Sequence, residues 1–163
     1  HISSRPENKA IEYLLEFLPD DKNYRNLSSN PCEMAIDLLA SNPSKIHWDR
    51  LSSNPSKMAI DLLVSNPSKI HWDRLSRNPS DSAIDLLISN PTKISYKDLS
   101  FNRNDRVFDL LNANREKIKW LALCVNTGDW AIDLLDLEPK KIDWYYLCRN
   151  KNPRVFDLVV LPK

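Results

Sequence analysis

Glycine is almost absent from this 163-residue sequence, which contains one Gly, Gly128, against eleven prolines. Phosphate-binding loops of the P-loop and dinucleotide-binding types place residues without a Cβ beside the phosphate. The composition therefore excludes both types of loop, and the turns have to be built from Asn, Ser and Pro.

Cysteine is also scarce, with three residues that form no CxxC pair. Disulfide frameworks need an even number of cysteines, and zinc sites need ligands at paired spacings. We therefore expect neither of them, and we expect a reducing, intracellular compartment.

An excess of one charge sign and long apolar runs are lacking too. The formal net charge is +1, which gives no reason to expect a nucleic-acid partner, because such proteins carry a clustered basic face. No apolar run approaches the ~20 residues that span a bilayer, so we expect no membrane association. The first residues contain neither a Met nor an apolar signal core, and we expect a processed or trimmed end.

A 24-residue unit repeats along nearly the whole chain, and residues 27–50 and 51–74 differ at only three positions. Fixed periods of this length are the sequence signature of repeat proteins. We interpret 1–163 as a single α-helical repeat domain that starts with a degenerate cap unit and ends with a partial one. The units are 1–26, 27–50, 51–74, 75–98, 99–122, 123–146 and 147–163.

Each unit has two similar halves that carry Ser-Asn-Pro, such as LSSNPSKMAIDL and LVSNPSKIHWDR in 51–74. Pro fits the first position of a helix, and the Asn before it can accept hydrogen bonds from the free N–H groups of the first turn. The pattern predicts two helices of about 8–10 residues per unit. The predicted helix caps are Asn30, Asn42, Asn54, Asn66, Asn78 and Asn90.

Helices this short are marginal in water and have to be held by neighbouring helices. A β fold is excluded, because period-2 alternation is missing and Pro recurs every 12 residues in the regular units. The sequence therefore predicts an all-α fold. Its architecture is predicted to be an α-solenoid of stacked two-helix repeats with 24 residues per unit.

The pattern Leu-Ser-x-Asn-Pro-x-x-x-Ala-Ile-Asp-Leu-Leu-x-x-Asn-Pro-x-Lys-Ile-x-Trp, from 27 to about 146, resembles short repeats in proteins of giant DNA viruses of amoebae. The later units depart from it where Arg103, Thr127 and Lys151 replace Pro. The resemblance implies a viral structural protein of the host cytoplasm or the virion, and it implies no catalytic role.

Three residue types recur once per unit, and each has two interpretations. The acidic series could bind cations or a basic partner, or it could join neighbouring repeats. The basic and aromatic series could share a groove for a nucleic-acid strand, or they could be solvated lysines and packed rings. The series are Asp37, Asp61, Asp85, Asp109, Asp133 and Asp157; Lys45, Lys69, Lys93, Lys117 and Lys141; and Tyr24, Trp48, Trp72, Tyr96, Trp120 and Trp144.

The remaining reactive residue types also follow the repeat. His47 and His71 lie one unit apart, too far for a shared metal ion, and Cys124 and Cys148 take places held by Ser in earlier units. No Ser/His/Asp or Cys/His arrangement stands apart from the repeat. We therefore predict no enzyme activity, no catalytic residue, no metal and no cofactor.

Positions that differ between units are the usual binding surface of a repeat protein. They become apolar and aromatic after residue 98, which indicates a partner or self-association surface in the C-terminal units, or simply tighter packing there. Trp130 breaks the pattern at a position that we expect to be exposed. The candidate surface is Phe101, Leu121, Val125, Trp130, Tyr145 and Tyr146.

The two ends of the chain are predicted to differ. The N-terminal helix has a polar face that can act as a cap, with the acidic residues Glu7, Glu12, Glu16, Asp20 and Asp21. The segment 155–161 is interpreted as a first helix without its second, which further chain, another copy or a partner should cover.

These observations favour a non-catalytic structural or protein-interaction scaffold. The alternatives are a modular RNA- or DNA-binding repeat protein and the recruitment segment of a larger effector.

Overall fold

The computed structural model describes residues 21–159, and within that range every regular element is a helix. Its Cα positions form two compact units, one that ends at His71 and one that begins at Trp72, and each is described by itself. The predicted acidic cap at Glu7, Glu12 and Glu16 lies outside the described residues. Val160 and Leu161, the end of the predicted last helix, lie outside them as well.

The unit that ends at His71 contains four α-helices and two 3₁₀ turns within its described residues. In chain order they are α1 (Asp21–Ser29), α2 (Glu33–Ser41), the turn Pro43–Lys45, α3 (Trp48–Ser52), α4 (Lys57–Val64) and the turn Pro67–Lys69. Helix α1 packs against α2 and α3, and α4 packs against both α2 and α3.

The unit that begins at Trp72 continues the same order. Its elements are α5 (Trp72–Arg77), α6 (Asp81–Ile88), the turn Pro91–Lys93, α7 (Tyr96–Leu99), α8 (Val107–Asn112), the turn Arg115–Lys117, α9 (Trp120–Val125), α10 (Asp129–Leu137), the turn Pro139–Lys141, α11 (Trp144–Leu147) and the 3₁₀ helix Pro153–Leu158. The last segment is thus 3₁₀ rather than α-helical through Leu158, with Phe156 exposed.

The second half of each repeat differs from the single helix that the sequence predicts. It divides into a 3₁₀ turn and an α-helix of only four to six residues in the described repeats. The break lies at an Ile such as Ile46, whose backbone is extended at φ −71° and ψ 125°. Extension turns this β-branched side chain into the core, where it is buried, and this burial is the physical reason for the break.

A leucine at every twelfth position forms the core of each half-repeat. Complete burial of a leucine side chain contributes about 1.5–3 kcal/mol to the stability of the fold. The twelve-residue spacing therefore stabilises both halves of each 24-residue repeat. The buried series is Leu39, Leu51 and Leu63 in one unit, and Leu75, Leu87, Leu99, Leu111, Leu123, Leu135 and Leu147 in the other.

The asparagines of the second half-repeat do not cap the helix that follows, contrary to the prediction. The amide Nδ2 of Asn42 donates to the Leu38 carbonyl oxygen at 3.0 Å, so the side chain closes the end of α2. No hydrogen bond joins it to the first turn that follows, and Asn66 and Asn90 repeat this arrangement. The amide bonds to the carbonyl at the end of the preceding helix, because this carbonyl would otherwise have no hydrogen-bond partner.

The asparagines of the first half-repeat brace the turn before a helix. Asn54 Oδ1 accepts from the Ser56 N–H at 3.0 Å, and Ser56 is the residue that precedes α4. Asn30 and Asn78 accept in the same way from the N–H two residues onward. Here the predicted acceptor role is present, three residues before the helix begins.

The buried asparagines also join one repeat to the next. Asn102 Nδ2 donates to the carbonyl oxygens of Ser76 and Asn78, both at 2.9 Å, 26 and 24 residues earlier. Asn54, Asn126 and Asn150 make the equivalent pair of bonds. Each of these amides therefore satisfies two carbonyls that lie outside its own helix.

A buried hydroxyl makes a second bond between repeats. Ser100 Oγ donates to the Tyr96 carbonyl at 2.8 Å and accepts from the Lys119 N–H at 3.1 Å. Ser28, Ser52 and Ser76 do the same in their repeats. The position needs a small side chain with both a donor and an acceptor.

No helix within residues 21–159 has the length and the apolar character needed to cross a bilayer.

Candidate partner-binding surface

Trp130 is buried, contrary to the sequence-based prediction, with only 3% of its surface exposed. It begins the buried face of α10 beside Ala131 and Leu134. The indole occupies space that Gly128 leaves open, and its Nε1–H has no hydrogen-bond partner among the described residues. Trp130 is therefore removed from the candidate surface.

The other five predicted residues lie on or next to three helices of the second unit, and we call them the variable face. They are Phe101, Leu121, Val125, Tyr145 and Tyr146.

Leu121 and Val125 form the apolar centre of the variable face. They lie four residues apart on α9, so they share one side of this helix. Leu121 is 39% exposed and Val125 is 42% exposed, whereas the intervening Leu123 is completely buried. Helix α9 packs on α11, which carries Tyr145 at the position one repeat after Leu121. The exposed side chains of successive repeats thus lie on helices that pack against each other.

The ring of Phe101 lies between two cations. The Arg77 guanidinium carbon is 4.7 Å from the ring centroid, and the Lys119 Nζ is 5.2 Å from it. An exposed cation–π contact contributes about 0.5–1 kcal/mol. Phe101 is half-buried, and the two cations place positive charge beside its ring.

Asp98 fixes the position of Arg77. Its Oδ1 lies 2.7 Å from Arg77 Nη2, and its Oδ2 accepts from the Ser95 hydroxyl at 2.6 Å. Partial burial alone would raise the pKa of Asp98, but the hydrogen bonds from Ser95 and Arg77 outweigh it and lower the pKa of this carboxyl. The carboxylate therefore stays ionised at neutral pH and holds the guanidinium over the Phe101 ring.

Tyr145 is the most exposed member of the variable face, at 61%. Arg149 donates from Nη2 to the Tyr145 hydroxyl at 2.7 Å, and its guanidinium lies 4.3 Å from the ring centroid. The half-buried Tyr146 ring meets Tyr145 edge-on at 5.2 Å between centroids. The exposed Tyr145 side chain therefore has contacts at its hydroxyl and at its ring.

The repeated aspartates pair with neighbouring basic residues at several positions. Asp85 Oδ1 accepts from Arg106 Nη2 at 2.6 Å, and Asp133 Oδ1 accepts from Arg154 Nη2 at 2.7 Å, each from the following repeat. Asp61 pairs instead with Lys57 inside α4, at 3.0 Å. The pairs of Asp85 and Asp133 match the interpretation in which the acidic series joins repeats, whereas Asp61 pairs with a lysine of its own helix.

The lysine and aromatic series meet at two positions. Lys45 Nζ lies 5.7 Å from the Tyr24 ring centroid, and Lys117 Nζ lies 4.7 Å from the Tyr96 centroid. Tyr24 is buried and Tyr96 is half-buried. At these two positions the lysine and the aromatic ring of neighbouring repeats therefore contact each other.

The cysteine in the serine position acts as an acceptor. Cys124 Sγ accepts from the Asp143 N–H at 3.4 Å, as Ser100 Oγ does from Lys119. Burial raises the pKa of the Cys124 thiol, which therefore stays protonated at neutral pH. Among residues 21–159, no three His, Cys, Asp or Glu side chains lie close enough together to hold a metal ion.

Sequence reasoning missed the two cations over Phe101, which are the main electrostatic feature of the variable face. Arg77 takes the place of Phe101 one repeat earlier, and Lys119 lies 18 residues after Phe101. A signal existed in the 24-residue frame, since residues at the same repeat position become neighbours once repeats are in contact.

No family model, curated protein or solved structure matches this chain.

Proposed function

We propose that this chain is a non-catalytic protein-binding scaffold in which two-helix repeats stack as an α-solenoid. One observation carries the stacking. Buried amides and hydroxyls bond to backbone groups 19, 24 and 26 residues away, and they do so at the same positions of successive repeats. Side chains that join repeats in this way leave the variable positions free to contact a partner.

The variable face supports a protein partner rather than a small ligand. It combines an exposed apolar pair, Leu121 and Val125, with an exposed aromatic ring at Tyr145. Aromatic residues and Arg are enriched where protein interfaces gain most of their binding energy. The cations Lys119 and Arg149 at the edge favour a partner that places acidic side chains around an apolar segment.

Deletion variants test the stacking. Removing residues 51–74, one full unit, keeps the 24-residue register, so we expect a chain that still unfolds cooperatively in urea. Removing only 63–74 brings two first halves together and breaks the pairs 24 and 26 residues apart. We expect the shorter deletion to be the more harmful one. Equal stability of the two variants overturns the stacking proposal.

A double variant tests the variable face. Leu121→Ser with Val125→Ser removes its apolar centre. Ile88→Ser with Leu137→Ser is the matched control, because these side chains are exposed to a similar extent, 47% and 49%, on helices α6 and α10. Quantitative affinity capture from source cells should lose a defined protein with the first pair and retain it with the second.

Self-association is measured separately by sedimentation velocity over a range of protein concentrations. A concentration-dependent increase that Leu121→Ser with Val125→Ser abolishes makes a second copy the partner. If the wild type stays monomeric and both double variants capture the same proteins, the variable face is not a binding surface. A nucleic-acid scaffold instead requires a mobility shift of RNA or DNA at low salt, and unchanged migration removes that alternative.

A further inference from the structure

A cavity in the unit that ends at His71 is lined by donor groups. Its volume is about 400 Å³, and the described residues around it are Arg25, Asn26, Ser29 and Arg50. All four side chains can donate hydrogen bonds, and two of them carry a permanent positive charge. This composition is complementary to an anion with several oxygen acceptors.

Arg50 has an unmet hydrogen-bonding requirement at this cavity. Its Nε atom is buried and has no hydrogen-bond partner among the described residues. The nearest carboxylate oxygen of Asp49 is 3.6 Å away, too long for a hydrogen bond. The Arg50 side chain as a whole is 42% exposed and lines the cavity, so a ligand can approach it although Nε itself is covered.

The cavity is not a by-product of the repeat. One repeat after Arg25 the chain has Asp49, which reverses the charge. Four repeats later, apolar and aromatic side chains take the positions of the four lining residues, and all of them except Ala122 belong to the variable face. These are Leu121, Ala122, Val125 and Tyr146. The three positions other than that of Arg25 keep donors one repeat later, in Arg50, Ser53 and Arg74, so it is the complete set of four donors that is particular to this cavity.

We propose that this cavity binds a phosphate group. The guanidinium of Arg presents parallel donors that match phosphate oxygens in a bidentate fashion. Asn26 and Ser29 can reach a third oxygen as neutral donors. The group can be free inorganic phosphate or a phosphoserine on a partner protein, and the chemistry recognised is the same in both cases.

The test observes the donor itself. In a ¹⁵N-labelled full-length chain, the Arg50 Nε–Hε signal is followed during titration with inorganic phosphate, with chloride added to keep the ionic strength constant. Arg74 is an internal control, because it repeats the Asp-Arg dipeptide one unit later with an exposed side chain and a 3.9 Å contact to Asp73. We expect the Arg50 signal to shift to saturation and the Arg74 signal to stay unchanged.

Substitutions distinguish a specific phosphate site from a general effect of added ions on surface arginines. Arg50→Gln and Arg25→Gln should each weaken binding about tenfold, because each removes charge-assisted hydrogen bonds. Arg50→Lys should lie between the wild type and Arg50→Gln, since it keeps the charge and loses the fork, and Arg74→Gln should have no effect. Thermal unfolding followed by circular dichroism shows whether each variant is folded.

A second titration, with a short neutral peptide that contains phosphoserine, identifies the source. Tighter binding of the peptide than of inorganic phosphate assigns the site to a phosphorylated protein, and the reverse order assigns it to the free ion. Linear, unsaturated shifts of the same size at Arg50 and Arg74 overturn the proposal. That result would leave the variable face untouched, because none of its residues lines the cavity.

Discussion

The indole of Trp130 occupies the space in which a side chain on Gly128 would lie. A Cβ built on Gly128 would be 2.6 Å from the Trp130 Nε1 and 2.9 Å from its Cδ1. The backbone of Gly128, at φ −73° and ψ 141°, is accessible to any residue. The chain's single glycine is therefore required for space and not for conformation.

The first prediction concerns this pair. Gly128→Ser should lower the free energy of unfolding by about 1–3 kcal/mol, the usual cost of excess volume in a packed core. A more restricted unfolded chain offsets only about 0.4–1 kcal/mol of this loss. Urea unfolding at neutral pH measures the difference from the wild type.

A double-mutant cycle shows whether the indole is the cause. Gly128→Ser combined with Trp130→Met recreates the arrangement of Ser56 and Met58. The added hydroxymethyl group should then cost less than it does beside Trp130. An equal cost in both backgrounds would contradict the steric explanation.

The second prediction compares Asn102 with Asn90, which both belong to the compact unit that begins at Trp72. Asn102→Ala removes two bonds to carbonyls of the preceding repeat and one to the Asn104 N–H, all at 2.9 Å, in a buried site. We expect a loss of about 2–4 kcal/mol in unfolding free energy. Asn90→Ala removes a bond within its own repeat and should cost about 1 kcal/mol. Chemical denaturation of both variants decides whether the bond between repeats is the stronger one.

The third prediction concerns the hydroxyl position. Cys124→Ser should change the unfolding free energy by less than about 1 kcal/mol, because serine provides the same acceptor for the Asp143 N–H. Cys124→Ala should be worse, since that N–H is then left without its acceptor. If the alanine variant is as stable as the serine variant in thermal unfolding, the sulfur does not act as an acceptor.

The fourth prediction follows from Asp98. Its pKa is lower in the folded state than in the unfolded chain, so its contribution to stability is complete above about pH 3.9, the unfolded value. This contribution is lost as the pH falls through the lowered folded value. Asp98→Asn should therefore destabilise the protein at pH 6, and by a progressively smaller amount as the pH falls below about 3.9.

Asp73→Asn is the control for this pH dependence. The Asp73 carboxylate is 3.9 Å from Arg74 and 58% exposed, so its removal should matter little at pH 6 or at pH 3. A stability difference between Asp98→Asn and the wild type that is the same at pH 3 and pH 6 would show that Asp98 is not the titrating group. Urea unfolding at the two pH values provides the measurement.

The period of the sequence was sufficient to predict helices without strands, and the twelve-residue leucine series explains why. Leu39, Leu51 and Leu63 face the core through a pattern that is visible in the sequence. The sequence also placed Leu121, Val125 and Tyr145 at positions that are exposed in the structure.

Three features inside single repeats differ from what the local sequence pattern predicts. The local sequence predicts that Asn42 caps the helix after it, but its amide instead donates a hydrogen bond to a carbonyl at the end of α2. Trp130 is predicted to be exposed because its counterparts in other repeats are Ser, Met and Arg. Its burial is explained by the space that Gly128, without a side chain, leaves for the indole. The short second helices follow from the inward turn at Ile46, whose burial overrides helix propensity.

The hydrogen bonds between repeats also affect how the chain folds. In both units they join residues 19 to 26 positions apart. The entropy lost in closing a loop depends on its length, so each repeat that adds to a folded neighbour closes a loop of the same size. Contacts of uniformly short range favour rapid folding. A chain with additional repeats would therefore repeat the same closure step for each repeat that is added.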